Sequence, residues 1–264
     1  MSDLEAEYNN RARVPEHPAI IAGWAADAAA YRAEKPPRVI AYGAGVRESM
    51  DVFDAEAGAC VMFIHGGYWQ ALDKSFFSHM ARGLNAHGIS VAAPSYDLCP
   101  HARIGDIVEQ MRAACAALHA ESGAPVIAAG HSAGGHLAAC LLATETHVPA
   151  AYAISGLFDL APLIPTSLNA ALRLDAAEAE ALSPLSWPAP EGKILDAIVG
   201  GDESAEYLRQ SQAIAEAWGA DGAETRYEAL TGANHFTVIA PLADPASPMV
   251  ARLRDLALRS NAHV

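Results

Sequence analysis

A serine lies between two glycines at the point where the residue pattern changes from strand to helix. Residues 130–134 read Gly-His-Ser-Ala-Gly, after an apolar, β-prone run at 125–129 and before small residues with helical spacing. A turn this tight excludes side chains two positions before and after the serine, which explains Gly130 and Gly134. Ser132 would then project from a strand–turn–helix apex, at the positive end of the helix. This arrangement, a nucleophile elbow, predicts attack of Ser132 on a carbonyl carbon.

A serine hydroxyl becomes a good nucleophile only when a nearby base removes its proton. In chains that carry such an elbow, an acid and then a histidine follow on loops after late strands. His235 fits this order, because it lies in Gly-Ala-Asn-His-Phe at 232–236, a turn-like loop after the last predicted strand. We therefore predict that His235 is the general base.

A third group must orient the imidazole and stabilise its protonated form. The loop after the predicted strand 194–199 reads Gly-Gly-Asp-Glu-Ser and offers two adjacent carboxylates, Asp202 and Glu203. Consecutive loop residues can point in either direction, so spacing alone does not separate them. Either carboxylate would hold His235 in the required tautomer.

The oxyanion of an acyl-transfer reaction needs backbone N–H donors, each of which contributes about 3 kcal/mol or more. One donor should be Ala133, the residue after the nucleophile. The others should come from residues 65–69, His-Gly-Gly-Tyr-Trp, which follow a buried-strand run. Glycine lets the backbone approach a bound carbonyl closely, so we predict that Gly66 and Gly67 complete the oxyanion hole.

Eight strand-like runs recur along the chain, and helical patterns follow most of the later ones. The runs lie at 38–42, 50–53, 59–64, 90–93, 125–129, 150–154, 194–199 and 224–229. Alternation of strands and helices predicts right-handed crossovers and a mostly parallel central sheet of about eight strands, flanked by helices. The first two runs are separated by turn residues, which predicts an antiparallel start.

Two segments fall outside this alternation. Residues 1–37 contain a helical stretch at 20–33, which we expect to pack over the edge of the domain. Residues 156–193 hold several prolines and a short acidic helix at 175–182, and we expect them to form a small cap over a pocket. The length of 264 residues, 52% of them hydrophobic, suits a single α/β domain over 1–264.

Composition restricts the partners and the location. A formal net charge of −14 disfavours nucleic acid and anionic membranes as partners, because their phosphates would repel the chain. The chain lacks a membrane-length apolar run and a hydrophobic signal region, so we expect a cytoplasmic protein. The four cysteines form no C-x-x-C pair, and the histidines show no zinc-site spacing. The sequence predicts neither a metal nor an organic cofactor.

These motifs together resemble the α/β-hydrolases, and within them the group of kynurenine formamidases (arylformamidases) and small bacterial esterases. HGGYWQ at 65–70, YDLCP at 96–100, GHSAGGHLAA at 130–139 and SPL at 183–185 match that group. The stretch 203–211, ESAEYLRQS, resembles the formamidase pattern D-S-P-E-F-x-R-Q-S, whose leading aspartate is the acid of the triad. The resemblance therefore implies Glu203 as the acid, with Asp202 as the alternative.

The resemblance implies an α/β-hydrolase fold and a serine hydrolase that acts through an acyl-enzyme. The implied substrate is a small-molecule aryl amide or ester with a small acyl group, most simply an N-formylkynurenine-like formamide. A carboxylesterase or thioesterase for short-chain or aryl esters is the alternative. By analogy, a homodimer is compatible with the sequence. We expect four residues to contact the substrate. Tyr68, Trp69 and Phe158 would form an aromatic slot, and His131 is the neighbour of the nucleophile.

Overall fold

The computed structural model describes residues 3–56 and 60–261, and within them eight strands form one sheet. The strands are β1 (Arg38–Ala41), β2 (Ser49–Phe53), β3 (Cys60–Ile64), β4 (Ser90–Pro94), β5 (Val126–His131), β6 (Ala150–Ile154), β7 (Ile194–Gly200) and β8 (Glu224–Leu230). Each overlaps a predicted run. Residue 59, the predicted first residue of the third run, lies outside the described residues.

The sheet has the order β1-β2-β4-β3-β5-β6-β7-β8. Strand β2 is antiparallel to both of its neighbours, β1 and β4. Every pair from β4 to β8 is parallel. The prediction of a mostly parallel sheet with an antiparallel start is therefore confirmed. The carboxyl ends of β3, β5, β6 and β7 lie at one edge of the sheet, and the loops that follow them carry the chemistry-bearing motifs.

Ten α-helices flank the sheet in the described part of the chain. They are α1 (Leu4–Tyr8), α2 (Asn10–Arg13), α3 (His17–Glu34), α4 (Arg82–Asn85), α5 (Ile104–Ser122), α6 (Ala133–Thr144), α7 (Asn169–Leu172), α8 (Ala176–Ala181), α9 (Ala205–Ala220) and α10 (Pro248–Asn261). The central strands are buried on both faces, as expected for parallel strands covered by helices. Met62 and Ile64 of β3 face a core shared with α5, α6 and α9. Val61 and Phe63 face the core beneath α3 and α10.

The two segments outside the strand–helix alternation both approach the same end of the sheet. The Tyr8 hydroxyl of α1 donates to Glu206 of α9, and the Tyr8 carbonyl oxygen accepts from Tyr68 in the loop after β3. Asn10 of α2 donates to the same Tyr68 hydroxyl. Residues 156–193 hold α7 and α8, and Thr166, Ser167 and Leu168 lie in a cavity wall described below. The described residues include no helix with both the length and the apolar composition needed to cross a membrane.

Candidate active site

Ser132 lies at the junction of β5 and α6 in a strained backbone conformation. Its φ of 57° and ψ of −119° are unusual for a residue with a side chain. Strand β5 ends at His131 and α6 begins at Ala133, so the chain reverses at the serine. Almost all of α6 is buried, which fixes the position of its first turn. Because the first N–H groups of a helix have no partner within it, Ala133 is positioned to donate toward a bound oxygen.

The two glycines that flank the elbow are required by close backbone contacts. A Cβ added to Gly130 would lie 2.1 Å from the carbonyl oxygen of Gly134. A Cβ on Gly134 would lie 2.0 Å from the carbonyl oxygen of Ile64, at the end of β3. Both distances are far below van der Waals contact. The prediction that this turn excludes side chains at both positions is confirmed.

The loop after β3 runs directly alongside the serine. A Cβ on Gly66 would lie 2.9 Å from Ser132 Cβ and 2.8 Å from the His131 carbonyl oxygen. Gly67 then adopts a φ of 109°, and Tyr68 and Trp69 follow at 51° and 55°. Three consecutive residues with positive φ turn this loop sharply around Ser132. The backbone of Gly66, one of the predicted oxyanion donors, therefore lies beside Ser132.

The His65 side chain contacts the backbone of that loop. Its Nδ1 lies 2.7 Å from the Gly66 carbonyl oxygen, and its ring stacks on Tyr96 with centroids 4.2 Å apart. The Tyr96 hydroxyl donates in turn to the His65 carbonyl oxygen over 2.8 Å. Burial lowers the pKa of His65 to about 4, so the imidazole is neutral at pH 7. The sequence predicted no separate role for this residue, whose neutral ring holds the glycine backbone in place.

His235 and Glu203 form a buried pair on neighbouring loops. His235 Nδ1 lies 2.6 Å from Glu203 Oε2, and the two residues are only 6% and 7% exposed. Ser155 Oγ and the Gly200 N–H donate to the second carboxylate oxygen, Oε1, over 2.5 and 2.8 Å. An Nδ1–H that donates to a carboxylate leaves Nε2 as the basic nitrogen of the ring.

The structure separates the two candidate acids. The Asp202 N–H donates to the Ala233 carbonyl oxygen over 3.0 Å. Among the described residues, its carboxylate makes no hydrogen bond and no ion pair. Of the two alternatives that the loop spacing left open, the geometry favours Glu203.

His131 connects the elbow to the histidine loop. Its Nε2 donates to the His235 carbonyl oxygen over 2.8 Å, and the two rings lie 4.7 Å apart. Burial and the neighbouring His235 both lower the pKa of His131 well below its ordinary value. A neutral ring at this position holds the His235 loop against Ser132 without adding a second positive charge.

A cavity of about 420 Å³ opens in front of Ser132 and His235. Gly66, Gly67 and His131 lie in its wall beside these two residues. Its apolar wall consists of Ile21, Trp24, Ala71, Leu72, Phe77, Leu168 and Phe236. Its polar wall includes Glu5, Asn9, Asn10, Arg11, Thr166 and Ser167. The cavity therefore offers an aromatic surface and a polar, charged rim to one small molecule.

Two of the four residues expected to contact substrate do not line this cavity. Trp69 is fully buried, because its positive φ turns the indole into the core, edge-on to His136 at 5.1 Å. Phe158 is also fully buried, with its ring over Gly156. Only Tyr68 and His131 of the expected set reach the cavity. The structure corrects the predicted aromatic slot, whose walls come instead from Trp24, Phe77 and Phe236.

Sequence reasoning did not find the contribution of the N-terminal segment. Asn10 of α2 and Tyr68 of the loop after β3 meet Tyr207 of α9 at hydrogen-bond distance. Tyr207 lies within the motif at 203–211, so a signal for it was present. Asn10 lies in a polar stretch with no motif, and only the fold brings it to the site. Among the described residues, no group of three or more metal-ligating side chains is placed to hold a metal ion.

Comparison with known proteins agrees with this geometry. Residues 61–264 match the model of the alpha/beta hydrolase family. The chain belongs to the α/β hydrolase family. Proteins named kynurenine formamidase are among its relatives: that of Salmo salar is 29% identical over 225 residues, 78% of this chain and 76% of the relative. That of Drosophila melanogaster is 26% identical over 239 residues, 81% of this chain and 79% of the relative.

Solved structures resemble the chain over most of its length. A protein from Silicibacter sp., provisionally assigned as a thioesterase, has a TM-score of 0.87 and 36% identity, covering 95% of this chain and 98% of its own. An arylesterase has a TM-score of 0.67 at 20% identity, covering 83% of this chain and 85% of its own, a likeness that shows the fold alone. This α/β hydrolase is a hydrolytic enzyme, similar to proteins named kynurenine formamidase and to the provisional thioesterase.

Proposed function

We propose that this α/β hydrolase is a serine hydrolase that cleaves a formyl or other small acyl group from an aryl amide. The observation that carries the proposal is the buried Glu203–His235 pair, at 2.6 Å, because its histidine lines the same cavity as Ser132. A carboxylate bound to Nδ1 fixes the tautomer in which Nε2 accepts the serine proton.

The acylation half-reaction follows from these positions. Ser132 Oγ forms a bond to the substrate carbonyl carbon, while His235 Nε2 takes the hydroxyl proton and Glu203 stabilises the imidazolium. The carbonyl electron pair moves onto oxygen, and the N–H groups of Gly66, Gly67 and Ala133 bind this oxyanion. When the carbonyl re-forms, the C–N bond breaks and the amine leaves with the proton from His235.

Deacylation repeats the same steps with water as the nucleophile. His235 removes a proton from water, the hydroxide attacks the acyl-serine, and the second tetrahedral intermediate collapses. Ser132 recovers its proton and the acid is released. All proton transfers use His235, so the chain's own residues suffice for the reaction.

The substrate assignment is supported by the cavity and by the relatives. An aryl leaving group matches the wall of Trp24, Phe77 and Phe236, and a polar side chain on that group matches the rim that holds Arg11 and Glu5. This chain aligns with about three quarters of the length of the relatives named kynurenine formamidase. We therefore propose N-formylkynurenine-type formamides, and with them a role in kynurenine breakdown, as the first hypothesis.

A short-chain or aryl ester or thioester hydrolase is the second candidate. It is favoured by the likeness to the provisional thioesterase from Silicibacter sp., which is 36% identical over 95% of this chain. Esters and thioesters would use the same serine, base and oxyanion donors, so the site chemistry accommodates both reactions.

The two candidates are separated by kcat/KM for N-formyl-L-kynurenine, p-nitrophenyl acetate and a short acyl thioester. Our proposal expects the formamide to be preferred by at least about tenfold over the ester, which corresponds to 1.4 kcal/mol in transition-state binding. Good ester or thioester turnover with negligible formamide cleavage would overturn the substrate assignment. Ser132→Ala should abolish turnover of all three; if hydrolysis survives this change, the acyl-enzyme mechanism is wrong.

A further inference from the structure

A cluster of three polar side chains lies beside the nucleophile and the base, and no step described above uses it. The hydroxyl oxygens of Tyr68 and Tyr207 are 2.7 Å apart. Asn10 Nδ2 lies 3.0 Å from the Tyr207 oxygen and 3.3 Å from the Tyr68 oxygen. The Tyr207 ring packs against the His235 ring, with centroids 4.7 Å apart.

Counting protons fixes the direction of these hydrogen bonds. The Tyr68 hydroxyl lies 2.6 Å from the Tyr8 carbonyl oxygen, which can only accept, so the single Tyr68 proton is used there. The Tyr207 hydroxyl must then be the donor in its contact with Tyr68. Because Asn10 donates to the Tyr207 oxygen, the Tyr207 O–H points away from Asn10. Its proton is therefore directed toward Tyr68, which lies in the cavity wall.

The Tyr207 phenol also keeps its proton. Burial raises the pKa of Tyr207 above its ordinary value, and the side chains of Tyr68, Asn10 and Ser132 oppose this shift in part. The hydroxyl is therefore a neutral donor at neutral pH, carried on a ring that packs against the ring of the base, and it has no role as an acid or a base.

We propose that the Tyr207 hydroxyl is an additional hydrogen-bond donor of the active site, oriented by Asn10 and used on the oxygen atoms that gain negative charge during acyl transfer. In the resting enzyme its O–H is directed to Tyr68. A charged oxygen accepts a hydrogen bond more strongly than a phenol oxygen does, so rotation about the Tyr207 C–O bond redirects the donor during the reaction. No proton leaves Tyr207 in either half-reaction.

One substitution separates the hydroxyl from the ring. Phenylalanine differs from tyrosine only by the absence of the hydroxyl. Tyr207→Phe removes the hydroxyl while keeping the ring that packs against His235.

The experiment measures the second-order rate at which a fluorophosphonate labels Ser132, together with kcat and KM on p-nitrophenyl acetate. We expect Tyr207→Phe to lower the labelling rate and kcat by roughly tenfold to hundredfold, as for loss of a hydrogen bond to a charged group, and to leave KM within about twofold. Tyr31→Phe is the control, because it also removes a buried tyrosine hydroxyl, one that donates to Asn85 away from the site. It should label at the parent rate.

Asn10→Ala gives a second, independent measurement. If Asn10 acts by orienting Tyr207, Asn10→Ala should slow labelling in the parent and should have no further effect in the Tyr207→Phe background.

Labelling of Tyr207→Phe within about twofold of the parent would overturn the inference. The inference rests on the proposed acyl-transfer site, but different results would contradict the inference and the proposed function. An unlabelled parent enzyme contradicts the proposed function, whereas equal labelling of parent and Tyr207→Phe contradicts only the role of Tyr207.

Discussion

Glu203 differs from its neighbour Asp202 in the number of donors directed at its carboxylate. Ser155, the Gly200 N–H and His235 all donate to Glu203, and its side chain is completely buried. Three hydrogen bonds fix both carboxylate oxygens, so the group has one orientation available. A buried carboxylate that is held this way can set the tautomer of a histidine, whereas a carboxylate free to rotate in solvent cannot.

We predict that Glu203→Gln lowers kcat by about 10³- to 10⁴-fold, because a neutral amide no longer favours the tautomer with the proton on Nδ1 and no longer stabilises the imidazolium. The matched control is Asp202→Asn, which makes the same chemical change one residue earlier and should alter kcat by less than about twofold. Steady-state kinetics on p-nitrophenyl acetate measure both. The reverse ranking of the two variants would make Asp202 the acid.

At the scale of elements, the loop after β3 depends on its backbone conformation more than on its side chains. Gly67 has a φ of 109°, and a Cβ there would lie 2.3 Å from the Ala71 carbonyl oxygen. In the same turn the Ala71 N–H donates to the Gly67 carbonyl oxygen over 3.1 Å. A side chain at position 67 would therefore displace the backbone that is proposed to bind the oxyanion.

Gly67→Ala should consequently lower kcat by about 10²- to 10³-fold, the effect of misplacing an oxyanion donor, while the protein remains folded. Gly105→Ala is its control, since Gly105 lies in the first turn of α5 and a Cβ there meets no atom within 4 Å. That variant should keep full activity and gain about 0.5–1 kcal/mol of stability. Kinetics and thermal unfolding of the two variants check both parts; equal activity of Gly67→Ala and the parent would exclude this loop from oxyanion binding.

The sequence predicted the elements whose formation depends on residues close together in the chain. Strand β5 and the elbow could be predicted because apolar periodicity and the two glycines are local signals. Helices α1 and α2 have five and four residues, too short for periodicity, and their place beside the cavity depends on distant contacts such as Asn10 with Tyr207. The sequence predicts Trp69 in the cavity wall, but the direction of its side chain depends on φ, which the motif does not specify.

At the scale of the whole molecule, the core contains several histidines that stay neutral because they are buried. Burial lowers the pKa of both His65 and His136 to about 4, and neither side chain is reached by solvent. His136 Nε2 donates to the Leu182 carbonyl oxygen over 2.8 Å, which connects α6 to the 156–193 segment. In the unfolded chain both imidazoles would have a pKa near 6.5.

This difference makes the fold sensitive to acid. Between pH 6.5 and about 4 the unfolded chain binds protons that the folded chain does not, so the free energy of unfolding falls as the pH falls through this range. For a pKa of about 4 in the folded state, one such histidine lowers the free energy of unfolding by about 2 kcal/mol between pH 7 and pH 5. Carboxylates with a lowered pKa, such as Glu206, act in the same direction but mainly below pH 4.5, their ordinary value.

Urea unfolding at pH 7 and pH 5 tests this account. From pH 7 to pH 5, the free energy of unfolding should fall by about 2 kcal/mol more in the parent than in His136→Gln, because glutamine does not titrate. The change with pH is the informative quantity, since the substitution also alters packing at both pH values equally. His87→Gln, at an exposed position, should show the same pH dependence as the parent. If His136→Gln loses as much stability as the parent does, the buried His136 ring is not what makes the fold acid-sensitive, and its contact with Leu182 is tolerant of charge.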